Sequence, residues 1–363
     1  MSISWGKPSP VLPDLWSPST LNMLKICPLR LAFSKDPHYR SRFTRGNTFS
    51  AMGTASHGLS EFAWSGQLGE VQGPELEVLL KEKWLELVQK EYEKLKKSWS
   101  PASVPLPRDW PYFAVTQTRT LRRVSTEINK RAARVSDGVE GSVRIEEQII
   151  DEKNKIAGIP DRVVLTGNGY YVFDLKTGHS VASISDAYRR QLLIYAHLVS
   201  LTTDQPLLGV GLITAGGNVI WDHVTSDAVA EVIDDVVKEV DIFRRSLSRD
   251  DSTIEARPSV TNCRYCAFRG VCQQYWEDSD PEWHEYRGVI GRVVRVSDNQ
   301  AFTVEQMFPG GDAGQLVGIS NCAHTAQKDD VVSVVDGKLT GQSLRGSWYT
   351  RVTKLGQEMR ADS

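Results

Sequence analysis

The chain has 363 residues, 40% of them hydrophobic and 24% charged, with a formal net charge of −2 and five cysteines. That balance suits two or three globular domains with a sizeable core. It argues against a histone-like polycation but not against a local basic groove. No apolar run approaches a membrane span and the opening MSISWGKPSPVLPDLW lacks an apolar signal core, so a cytoplasmic protein is expected, with thiols that are free or ligating rather than disulfide-bonded.

Residues 1–16 are Pro-rich and read as irregular. Ser17 is a plausible N-cap, with Pro18 in the first turn of a helix carrying Leu21, Leu24, Leu31 and Phe33. Cys27-Pro28 sits within this helix or at its break, and Cys27 alone reads as a small buried hydrophobe. Residues 36–50 are basic and aromatic without an apolar period. They read as a loop, either solvated or in contact with phosphates. A helix opens at Gly53 and carries His57, with Glu61 on the same face. A single helical His is ordinarily structural or exposed. Residues 74–99 form a long amphipathic helix packing through Leu76, Leu80, Trp84, Leu87 and Val88. After a Pro-rich connection, residues 112–135 form a basic helical region including Arg119, Arg122 and Arg123, read as support with some chance of touching DNA. A strand over Val143–Ile150 is expected to pair with the hairpin that follows. Glu146 and Glu147 point to opposite faces of it, so at most one can reach a common site.

Residues 157–178, AGIPDRVVLTGNGYYVFDLKTG, organise the rest. They predict two strands, Arg162–Leu165 and Tyr170–Leu175, joined at Gly167-Asn168-Gly169. Asp161 opens the first strand and Asp174 closes the second. Lys176, two residues on, shares a face with Asp174, and the hairpin can bring Asp161 beside them. Two carboxylates and an ammonium on one face suit a divalent ion and an attacking water.

A helix over 183–201 carries Gln191 and Tyr195 four residues apart on one face. Strands over 207–214 and 218–223 extend the sheet, and a helix over 226–245 packs on it through a Val/Ile stripe. Cys263, Cys266 and Cys272 then follow at CxxCxxxxxC spacing, which in a reducing compartment suggests a metal whose fourth ligand lies elsewhere, with Cys27 the natural candidate. Four thiolates satisfy zinc and an iron–sulfur cluster equally. Tyr265, Phe268, Tyr275 and Trp276 would shield the metal, and Cys322 reads as a spare thiol. Beyond a break at 277–281, about five short strands fit a small β-barrel, either a single-strand binding platform offering Arg292, Arg295, Arg345, Trp348, Tyr349, Arg351 and Lys354, or a docking module.

Gly158-Ile159-Pro160-Asp161-Arg162 and Asp174-Leu175-Lys176-Thr177-Gly178 resemble the GxxDR…DxKTG pattern of the RecB-like branch of the PD-(D/E)XK nuclease superfamily. Gly53…His57 is similar to its GxxxH element and Gln191…Tyr195 to its QxxxY element. Cys27 with Cys263, Cys266 and Cys272 resembles the iron–sulfur members, namely the AddB subunits and CRISPR-associated RecB-type exonucleases.

The resemblance, which covers residues 15–276, implies an α/β fold with a restriction-endonuclease-like mixed central sheet flanked by helices, placed in a domain of residues 1–277; the short strands beyond it read as an OB-like barrel in 284–363. It implies Mg²⁺ or Mn²⁺ on His57, Asp161, Asp174 and the Leu175 carbonyl, with Asp161, Asp174 and Lys176 catalytic and Gln191 and Tyr195 on the DNA backbone. It further implies a structural [4Fe–4S] cluster on the four cysteines. The expected activity is hydrolysis of DNA, cutting single strands from an end. It would act in repair, recombination or phage DNA processing, with a separate helicase or defence partner conceivable. The alternative is a non-catalytic DNA-end-binding subunit of a helicase–nuclease or defence complex.

Overall fold

A computed structural model gives the architecture for residues 3, 5–65, 68, 71–98, 104–136, 142–144, 147–176, 183–248, 254–278, 288–298, 300–308 and 314–356. The chain folds as two compact units, one of residues 14–22 and 45–244, the other of residues 1–13, 23–44 and 245–363.

The first unit is built on a five-stranded sheet in the order β1 (Ser142–Arg144), β4 (Arg162–Thr166), β5 (Gly169–Lys176), β6 (Leu207–Thr214), β7 (Val219–Asp222). The expected hairpin is present, with Arg162 opposite Phe173 and Thr166 opposite Gly169. β5 and β6 run parallel, joined through α7 (Asp186–Ser200), and β7 returns antiparallel. A sheet with both pairings needs cover on its faces. α7 supplies part of it with Leu192, Leu193, Ile194 and Leu198, all at 0–1% exposure. Gly169 has φ +151°, and a Cβ there would lie 2.4 Å from the Pro206 carbonyl, so only glycine admits this approach of the hairpin to the start of β6. A second core joins α4 (Thr48–Trp64), α5 (Gly73–Ser98) and α6 (Phe113–Ser136) through Leu59, Leu76, Leu80, Trp84 and Val124. α8 (Ser226–Leu247) buries Ile233, Val236, Val240 and Phe243.

Two expectations in this unit need correction. The strand expected over Val143–Ile150 is two. β1 pairs with β4 as anticipated, whereas β2 (Ile149–Asp151) forms a separate ribbon with β3 (Ile156–Gly158). The ribbon is extended by Trp16, whose N–H and C=O bond Lys155 and Ala157 at 2.8 and 3.0 Å. α4 starts at Thr48 rather than Gly53, because Asn47 and Ser50 form a reciprocal capping box ahead of it.

α1 (Pro18–Ile26) ends just before Cys27, and in the second unit α2 (Pro28–Lys35) begins immediately after it. The stretch expected as a loop contains α3 (Pro37–Phe43), capped by Asp36, which accepts from the His38 and Tyr39 N–H groups. α9 (Val260–Cys263) and α10 (Gln273–Asp278) flank the cysteine segment. Among the described residues seven strands follow where about five were expected: β8 (Val289–Asp298), β9 (Ala301–Phe308), β10 (Leu316–Ser320), β11 (Val331–Val335), β12 (Lys338–Thr340), β13 (Ser343–Arg345) and β14 (Arg351–Lys354). Their order is β12-β13-β10-β9-β8-β11-β14, and among the described residues no pairing joins β12 to β14. The sheet nevertheless curls. β13 and β14 stand five strand spacings apart, about 24 Å across a flat sheet, yet the six residue steps from Arg345 to Arg351 reach about 20 Å only if fully extended. A turn from Ser347 to Thr350 shortens that reach further. Buried Arg269 and part-buried Arg351 both bond Asp336, at the end of β11. Arg351 also donates to the Ala267 carbonyl, and Arg269 to those of Cys263 and Arg264, which clasps the cysteine segment to the sheet. Arg351 and Lys354, the latter 3.0 Å from Asp330, are thus both ion-paired.

The chain is therefore a mixed α/β protein with curled mixed sheet and helices, consistent with a restriction-endonuclease-like fold. Among the described residues no helix is long and apolar enough to cross a membrane.

Candidate active site

Asp174 and Lys176 leave one face of β5, and Nζ of the lysine lies 2.6 Å from Oδ2 of the aspartate. Asp174 is 3% exposed. Its Oδ1 accepts from Gln191 Nε2 at 3.0 Å, and Oδ2 has no hydrogen-bond partner beyond that ion pair. Gln191 turns its Oε1 to Lys176 at 3.3 Å and its amide to the Tyr195 hydroxyl at 3.3 Å. The helical i, i+4 pair thereby orients both charged groups of the strand, with the Tyr188 ring 4.8 Å from the ammonium. Burial pushes the Asp174 carboxyl up to about 6. Lys176 opposes that shift and the Asp161 charge adds to it. Burial also pushes the Tyr195 phenol up to about 12, so at neutral pH it is a neutral hydrogen-bonding group.

Asp161, just before β4, accepts the Leu175 N–H on Oδ2 at 2.6 Å, which ties it beside Asp174. Its Oδ1 lies 3.4 Å from His57 Nδ1 on α4. His57, Asp161, Asp174, Leu175, Lys176, Gln191 and Tyr195 thus come together in one unit. Glu147 is exposed. Glu146, Thr177 and Gly178 lie outside the described residues.

Among the described residues no group of three or more His, Cys, Asp or Glu is drawn together closely enough to hold a metal ion as it stands. His57 and Asp161 make a pair, while Asp174 is engaged by Lys176 and Gln191. The donor chemistry still suits a hard divalent cation, with an imidazole and two carboxylates, one of which has a buried oxygen whose only partner among the described residues is the Lys176 ammonium.

Sequence reasoning missed the groups behind this site. Arg123, read only as part of a basic supporting helix with some chance of touching DNA, is 2% exposed and bonded to Ser56 and Ser60 on α4. Thr116, Thr120 and Val124 mark the buried stripe of α6 at four-residue spacing, and Arg123 lies on it. That periodicity was the available signal.

In the other unit, Cys27, Cys263, Cys266 and Cys272 line one pocket together with Leu29, Phe33, Phe268 and Tyr275. Burial pushes the Cys263 thiol up to about 11, Cys272 to about 12, and Cys266 likewise upward, and the neighbouring sulfurs add to each shift. Such thiols stay protonated unless a cation replaces the proton. Phe268, Tyr275 and Trp276 are buried as expected, but Tyr265 is 76% exposed and shields nothing. Cys322 belongs to a separate core with Val293, Phe302 and Val304.

A family model describing the PD-(D/E)XK nuclease superfamily matches residues 15–273. The chain belongs to this superfamily. Membership implies a phosphodiester hydrolase. No curated protein matches the chain significantly. Among solved structures it is similar to a "Putative exonuclease" of Eubacterium rectale, at 13% identity over 70% of this chain and 86% of that one, with a TM-score of 0.38. It is also similar to SSO0001, at 16% identity over 60% and 96% of the two chains, with a TM-score of 0.23.

Proposed function

We propose that this superfamily member is a Mg²⁺- or Mn²⁺-dependent deoxyribonuclease that hydrolyses DNA phosphodiesters, acting on single strands from an end. What supports the reading most is the convergence of Asp161, Asp174, Lys176, His57 and Gln191 on one spot. His57, Asp161, Asp174 and the Leu175 carbonyl would hold the ion. When bound, it polarises the scissile phosphate and lowers the pKa of a water. Lys176, held by Asp174 and Gln191, orients that water or meets the developing negative charge. Gln191 and Tyr195 position the backbone of the substrate.

The same reading gives Cys27, Cys263, Cys266 and Cys272 a structural [4Fe–4S] cluster. Support comes from four thiols around one pocket, spanning a long chain loop that the cluster would close. Tetrahedral zinc is the competitor, decided by metal analysis of protein made without oxygen. Residues 1–277 form the nuclease domain and 284–363 an OB-like module. The module's support is its curl and the parallel pairing of β10 with β13. The setting is cytoplasmic DNA processing in repair, recombination or phage replication, alone or beside a separate helicase.

End-labelled single- and double-stranded DNA, with and without Mg²⁺ or Mn²⁺, tests this. Metal-dependent shortening of single strands that Asp161→Ala and Lys176→Ala abolish is expected. Binding of ends without any cutting would replace the enzyme by the non-catalytic subunit.

A further inference from the structure

We infer that Arg123 and Glu127 of α6 are positioning residues that set the distance between His57 and Asp161. The inference rests on the reading that these two hold a divalent ion. A guanidinium buried as deeply as that of Arg123 is costly, and two of its three nitrogens, all but Nε, find partners among the described residues. Nη2 bonds Ser60 Oγ at 3.0 Å and Ser56 Oγ at 3.2 Å, and Nη1 bonds Glu127 Oε1 at 3.4 Å. Glu127 Oε2 in turn accepts from Arg162 Nη2 at 2.7 Å and from Trp64 Nε1 at 3.4 Å.

The run Ser56–Arg123–Glu127–Arg162 starts one residue before His57 and ends one residue after Asp161. Ser60, a turn further along α4, prevents the helix from rotating about the first contact. The mutual contact of His57 and Asp161, 3.4 Å with side chains 34% and 21% exposed, is too weak and too wet to fix their separation. The fixing comes from behind, through one carboxylate shared by two guanidiniums. A buried ionic run of this kind is seldom the most stable filling of its volume. Geometry is what it supplies.

The test is Mn²⁺ binding to the full-length protein without nucleic acid, followed by electron paramagnetic resonance of the free ion. Glu127→Gln keeps the shape and removes the shared charge. It is expected to weaken Mn²⁺ binding about 10-fold, with a parallel rise in the Mn²⁺ concentration that half-saturates cutting and with rates largely restored at saturating metal. Arg123→Met is expected to do the same. Trp64→Phe, which removes one neutral donor on Glu127, should shift binding two- to threefold and serves if the charge variants do not fold. Unchanged Mn²⁺ affinity in folded Glu127→Gln, with only a lower melting temperature, would overturn the inference and leave the run merely structural. His57→Ala and Asp161→Ala separate the two levels. If they leave Mn²⁺ binding intact, the metal reading itself has failed. If they abolish it while Glu127→Gln does not weaken it, only the positioning role falls.

Discussion

On the proposed reading, the acid site and the thiol pocket would each hold a cation, in opposite ways. At the acid site the charges are already opposed. Lys176 answers Asp174, the His57 ring lies 3.4 Å from Asp161, and Gln191 bridges strand and helix. At the thiol pocket burial raises three of the four thiols and nothing opposes them as strongly. The first can therefore stand without its metal and exchange it. On the same reading the second keeps its raised thiols protonated until a cation replaces the protons. Removing a ligand should cost activity in one place and stability in the other.

The largest effects test that division. Asp161→Ala and Lys176→Ala should each lower the rate of cutting by about 10²–10³-fold or more while moving the melting temperature little. A matching loss of stability would break the comparison. Cys266→Ser should do the reverse, releasing bound iron and destabilising the fold by about 2–5 kcal/mol, the range of a lost long-range cross-link. Full iron content in that variant would remove the cluster assignment. Gln191→Ala should lower cutting about 10-fold by freeing Lys176, read as a rate on end-labelled single strands.

A smaller effect follows from Asp174. Its carboxyl is raised from 3.8 to about 6, so between those pH values the folded chain keeps a proton that the unfolded chain has released. Stability contributed by this group therefore falls as pH rises through that window. Asp174→Asn, inactive for cutting, should melt a few degrees higher than the parent at pH 7 and equally at pH 4, a difference on the order of 1–2 kcal/mol. Because a bound cation competes with the same proton, Mn²⁺ affinity of the parent should weaken below about pH 6. Least of all, Cys322→Ser should leave iron content unchanged, since that thiol sits in another core.

What was legible in the sequence was local. The hairpin, the Asp174–Lys176 pairing, and Gln191 with Tyr195 depend on strand and helix periods that a short window contains. His57 was legible through its spacing from Gly53. Arg123 was not, because a basic helix looks solvated until Ser56 and Ser60, more than sixty residues away, arrive against it. α3 was missed for want of aliphatic residues, although Asp36-Pro37 is a cap followed by a first-turn proline. Its burial comes from Tyr39 and Phe43 packing on Phe33 and Phe268, a contact no local period announces. The split of Val143–Ile150 likewise reflects partners distant in sequence: β4 for one half, β3 for the other.

The clasp on Asp336 bears on how this protein can be cut down for study. A truncation at residue 277 looks natural, since it keeps every acid and every cysteine of interest. It would also delete Asp336, the one carboxylate that Arg269 bonds among the described residues, together with β11, against which the neighbouring Gly270 packs, so that the cation loses both its partner and its cover. The strain would fall on the backbone carbonyls of Cys263 and Arg264, where Arg269 also donates. If the four cysteines hold the proposed cluster, shortened versions should therefore lose iron on purification before they lose their ability to fold, and metal analysis belongs to the intact chain.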